Sequence, residues 1–75
     1  MDRIQAAYMR DFINEIFEEL GELTEKERSD YNDGEINAYT HMLRTIKINI
    51  DEDAWGDFGL DFDIDQKYFT RSMAR

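Results

Sequence analysis

The 75-residue sequence has no cysteine and no proline, a single histidine, and half as many Lys and Arg (9) as Asp and Glu (18). Without cysteine there is no disulfide, thiolate zinc site or cysteine nucleophile, so any chemistry falls to carboxylates, hydroxyls or His41. No window approaches the ~20 apolar residues that span a bilayer. The opening MDRIQAAYMRDF has neither the basic start nor the apolar run of a signal peptide. A cytoplasmic protein with no membrane partner is expected. The net charge of −9 repels anionic lipid and nucleic acid. Unless a basic face is segregated, it argues against direct DNA or RNA binding and for a basic protein surface as partner.

Apolar material is sufficient for folding. With 41% hydrophobic and 13% aromatic residues, the chain is too apolar for a disordered acidic tail. A single domain over 1–75 is expected. A domain of this size buries only about 60% of its unfolded surface. With disulfides excluded, the remaining source of extra stability is self-association, as in a homodimer, or a bound partner.

Residues 2–23 place Ile4, Tyr8, Met9, Phe12, Ile13, Ile16, Phe17, Leu20 and Leu23 at helical spacing, with Asp2 as the N-cap. Gly21 and the charged run from Thr24 to Arg28 predict an end near 22 or fraying toward 28. The apolar sector covers about half the circumference, enough for two neighbours. After the turn-forming Ser29 to Gly34, a second helix over about 33–46 carries Ile36, Tyr39, Met42, Leu43 and Ile46 on a narrower stripe. A helical hairpin, and hence a mainly α fold, is the expectation.

Near Thr45 the period changes. Ile46-Lys47-Ile48-Asn49-Ile50 alternates, and so does Phe58 through Asp65, so that 45–65 reads either as a β-hairpin (an α+β alternative) or with the second helix running on to Ile50. The basic segment 66–75 reads as a short helix with Lys67, Arg71 and Arg75 at i, i+4, i+8.

Residues 51–65 hold seven acids and no base. If 58–65 is extended, Asp61, Asp63 and Asp65 stand ~7 Å apart on one face, backed by Phe58, Leu60, Phe62 and Ile64. Such a comb imitates phosphate charge and can block a nucleic-acid-binding protein. The candidate partner-binding residues are therefore Asp51, Glu52, Asp53, Asp57, Asp61, Asp63 and Asp65, with Trp55 and Phe58 as apolar anchors. The plainer alternative is a solvated face that keeps a small protein soluble.

Glu18-Glu19-Leu20-Gly21-Glu22 resembles the EExxE helix motif of the all-α NTP pyrophosphatases of the MazG kind, with Glu35 beginning their ExxD. The resemblance implies Mg²⁺ held by acids from two helices. Ala38 stands where the fourth acid belongs, and Glu18 and Glu22 lie away from the apolar sector, so no catalytic residue is assigned. Asp51-x-Asp53-x-x-Gly56 resembles the start of an EF-hand loop. Trp55 and Phe62 replace two of its oxygen ligands, so no metal or other cofactor is expected. His41 has no ligating residue at i±3 or i±4 and reads as a surface histidine.

The stretch from Tyr31 to Lys47 resembles small acidic helical proteins encoded by bacteriophages and prophages. That resemblance implies a bacterial host cell and a non-enzymatic inhibitor of host machinery such as a CRISPR nuclease. Charge mimicry is thus the expected function, with a homo-oligomeric helical bundle and a degenerate pyrophosphatase as alternatives.

Overall fold

In the computed structural model, which describes residues 2–73, the first helix, α1, runs Arg3–Glu25. Asp2 starts it as expected, in a capping box: its carboxylate accepts from the Gln5 N–H at 2.8 Å, and the Gln5 side chain accepts from the Asp2 N–H at 3.3 Å. The helix passes through Gly21 and ends four residues later than that glycine, because Leu23 is buried and draws another turn into the core. A short connection turns the chain. Ser29 caps α2 (Asp30–Asn49) by accepting from the Asn32 N–H at 3.0 Å, and the Asn32 amide donates back to the Glu27 carbonyl at 2.8 Å. The two helices therefore pack antiparallel, as the hairpin reading requires.

Of the two readings left open for 45–65, the β-hairpin is absent, with no strand among the described residues, and the other holds: α2 runs on to Asn49, with Ile50 as its C-cap. The reason for 45–50 lies in burial. Ile36, Tyr39, Leu43, Ile46 and Ile50 follow one helical stripe against the core, whereas Ile48, which a strand would place beside Ile46 and Ile50, is 80% exposed. For 58–65 the inward and outward alternation is real, with Phe58, Leu60 and Ile64 buried and Asp61, Asp63 and Asp65 exposed. The backbone that delivers it is a succession of turns. Two 3₁₀ turns, Glu52–Ala54 and Gly56–Phe58, lead to Gly59 at φ 72°, a left-handed conformation that glycine adopts without a steric penalty.

α3 (Ile64–Met73) begins two residues earlier than the expected terminal helix. Its start lies at Arg44 of α2, which pairs with Asp65, and further along Tyr68 lines a shallow depression whose other walls include Gly21 and Thr24 of α1, so α3 runs back toward the interhelical connection. Of the expected row of Lys67, Arg71 and Arg75, Lys67 and the backbone of Arg71 lie on α3, while Arg75 and the Arg71 side chain lie outside what is described. Ile13, Ile16, Leu20 and Leu23 of α1, Ile36 and Leu43 of α2, and Phe58, Leu60, Ile64 and Tyr68 form one core. Thr40, fully buried among them, donates its hydroxyl to the Asn37 carbonyl at 3.0 Å. No helix among the described residues is long and apolar enough to cross a membrane.

Candidate binding surface

The acidic arm is divided between carboxylates that hold structure and carboxylates exposed on its turns. Asp63 caps α3, accepting from the Gln66 N–H at 3.0 Å, and Asp65 is held by the Arg44 guanidinium. Asp61 lies against Gly56, with Oδ2 3.6 Å from where a β-carbon there would stand. The three aspartates are thus exposed without forming the expected comb, since no extended backbone sets them in register. Asp51, Glu52, Asp53 and Asp57 are exposed on the two 3₁₀ turns and the residue that precedes them.

The two expected anchors face inward. Trp55 is half-buried: its indole N–H donates to the Lys47 carbonyl at 2.9 Å and its ring lies 4.4 Å beneath the Lys47 ammonium. That ammonium also donates to the Phe62 carbonyl at 2.7 Å, so Lys47 ties both ends of the arm to α2. Phe58 is buried below the Arg10 guanidinium, 5.6 Å from its ring centroid, and Phe62 meets Phe17 with ring centroids 6.0 Å apart. These rings fasten the arm to the hairpin.

A second set of acids has better geometry. Asp11, Glu15, Glu18, Glu22 and Glu25 recur at i, i+4, i+7, i+11 and i+14, and all five are exposed. At ~100° per residue they fall within a sector ~80° wide, on the side of α1 opposite Ile13, Ile16, Leu20 and Leu23. At 1.5 Å per residue the row is ~21 Å long, with one carboxylate every ~5 Å. Glu19 flanks it, and residues 11–25 contain no base. The regular helix holds these groups in register. The sequence does carry the signal, in acids at heptad-like spacing, but the concentrated charge of 51–65 draws attention away from it.

Beside this ridge the hairpin is open. Phe12 of α1 and Met42 of α2 join two adjoining shallow depressions: one holds half-buried Tyr39 and is rimmed on α1 by Glu15, Glu18 and Glu19, and the other, largely apolar, is lined by half-buried Ile46 with His41 and Thr45. The half-circumference apolar sector of α1 is thereby accounted for: part packs on α2, part takes the arm, and Ile4, Tyr8 and Phe12 are left exposed.

The pyrophosphatase-like acids are dispersed. Glu18, Glu19 and Glu22 are exposed on α1, while Glu35 on α2 accepts a hydrogen bond from Tyr31, which together with its negative charge raises the Tyr31 pKa. Among the described residues no three His, Asp or Glu side chains are grouped to hold a metal ion. His41 is exposed, near Phe12 and Met42. No protein-family model, curated protein sequence or solved structure matches this chain.

Proposed function

We propose that this chain is a non-enzymatic binding protein that docks its acidic surface on the basic surface of a DNA- or RNA-handling protein and keeps nucleic acid away from it. The observation that carries the reading is the row from Asp11 to Glu25, five carboxylates on one face of a continuous helix with no interrupting base. Its spacing of ~5 Å is of the same order as the ~3.4 Å of axis per phosphate on one strand of duplex DNA. Asp51, Glu52, Asp53 and Asp57 add charge to the same molecule, which speeds diffusional encounter with a basic target.

A pull-down from bacterial lysate at low and moderate salt tests this. The intact protein is compared with a Glu15→Gln/Glu18→Gln/Glu22→Gln variant and with an Asp61→Asn/Asp63→Asn variant. The intact protein should capture a nucleic-acid-binding protein that the α1 variant loses, that salt releases and that duplex DNA or RNA displaces. Capture indifferent to the three glutamates, or a partner that binds nucleic acid equally well in the complex, would refute the proposal. The exposure of Tyr8 and Phe12 favours a second reading, assembly of copies through that flank. Sedimentation equilibrium of the intact protein and a Phe12→Ser variant separates the two.

A further inference from the structure

The antiparallel pair α1 and α2 has two flanks, and the chain covers one. On the covered flank Phe17 meets Phe62 and Phe58 sits under Arg10. On the other, Tyr8 is 73% exposed, Phe12 44% and Met42 36%, with Tyr39 and Ile46 half-buried between the helices. Tyr8 lies beyond the groove, which Phe12, Met42, Tyr39 and Ile46 line with apolar surface and which His41 and Thr45 edge on the α2 side. The groove's rim carries Glu15, Glu18 and Glu19, and no Lys or Arg lines it among the described residues.

We infer that this groove receives a basic amphipathic helix of the partner, with apolar side chains seated between Phe12 and Met42 and Lys or Arg against Glu15 and Glu19. The inference rests on the proposed function and adds the form of the partner's contact. A cleft between two antiparallel helices accommodates a third by ridges-into-grooves packing, at interaxial distances of ~8–10 Å. An apolar floor with charge along one edge is the complement of a helix with one apolar and one charged face. The sign of the rim selects the occupant. A second copy would bring its own Glu15, Glu18 and Glu19 to a rim that already has three, placing like charges together, and an anionic membrane meets the same repulsion. A basic helix buries the same apolar surface while neutralising the rim.

The test uses two fluorescent peptides of one composition, about 18 residues of leucine and lysine. One is ordered to give an amphipathic helix; the other is scrambled to destroy the apolar face. Anisotropy titrations should give the amphipathic peptide at least about tenfold higher affinity than the scramble. Phe12→Ser and Met42→Ser should each weaken it about tenfold. Ile48→Ser, which alters an apolar residue 80% exposed outside the groove, should leave it unchanged. Circular dichroism verifies that all three variants are folded. Equal binding of both peptides, insensitive to Phe12→Ser and Met42→Ser and abolished by salt, would overturn the groove inference while leaving the acidic-surface reading standing. Binding of neither peptide would overturn the groove inference, and the pull-down then decides the acidic-surface reading separately. A dimer that Phe12→Ser dissociates at the assay concentration would also overturn it, by making a second copy the occupant.

Discussion

Replacing Gly21 with alanine should stabilise the protein, although sequence alone permits the opposite. Gly21 lies inside α1, four residues before its last residue, and a β-carbon built on it meets no other atom within 4 Å. Its φ is not in the left-handed region, which among the glycines is occupied by Gly59 alone. The change therefore adds no clash and removes the excess backbone entropy that makes glycine about 1 kcal/mol worse than alanine in a helix interior. For a domain of this size, about 1 kcal/mol raises Tm by roughly 4–8 °C. Gly34, inside α2, is equally free of neighbours, and the two sites lie on different helices, so Gly21→Ala/Gly34→Ala should gain about 2 kcal/mol. Urea unfolding followed by far-UV circular dichroism measures this as a higher midpoint at constant slope. Gly59→Ala, at φ 72°, should move the midpoint down. If Gly21 instead closed the helix in a left-handed conformation, alanine would cost about 1 kcal/mol. A lowered midpoint for Gly21→Ala would thus place the end of α1 before Leu23 and remove Glu22 and Glu25 from the acidic row.

Asp63→Ala should lower stability by about 1 kcal/mol by uncapping α3, whereas Asp63→Asn, an equally good cap without the charge, should cost little; equal losses in urea melts would mean that charge, not capping, is the role of Asp63. Trp55→Phe keeps the ring over which Lys47 lies but removes the indole donor to the Lys47 carbonyl, so a loss of about 1 kcal/mol is expected by circular dichroism, and an unchanged midpoint would refute that bond. Burial raises the pKa of Tyr68 above its ordinary 10.0. Its folded pKa exceeds the unfolded one, so its contribution is fully present below pH 10 and is lost as pH rises through the folded value. Thermal melts from neutral into alkaline pH should therefore fall less steeply for Tyr68→Phe than for the intact protein, and parallel curves would exclude this titration.

The helical hairpin was legible because its signals are local: a capping residue at Asp2, turn formers from Ser29, and apolar stripes that the helices bury where expected. The arm was half legible. Alternation from Phe58 to Asp65 reported which side chains go inward, but alternate burial does not require a strand, and no neighbouring strand exists among the described residues to pair with it. Ile48 misled for a related reason. Three isoleucines at every second position resemble a strand face, and only the register of Ile36, Tyr39 and Leu43 upstream shows that the middle one points to solvent. Trp55 and Phe58 read as interface anchors because aromatic residues suit both interfaces and cores. What decided their place was Lys47 and Arg10, which lie over their rings from distant points in the chain and cannot be identified from spacing.

The acids of α1 work against the helix that carries them. Asp11 and Glu15, Glu15 and Glu19, and Glu18 and Glu22 are like charges at i, i+4, each costing a few tenths of a kcal/mol. Glu22 and Glu25 also sit by the negative end of the helix dipole, in a last turn that itself contains no base, with Lys26 following as the C-cap. Screening should relieve this self-repulsion, so moderate salt should raise the melting temperature of the free protein even as it loosens a basic partner. Under the proposed function, the same repulsion couples folding to recognition. A cationic surface laid along α1 cancels it, and the free energy released tightens binding and raises the unfolding temperature together. The ordered helix in that sense stores an electrostatic repulsion that the proposed basic partner would discharge.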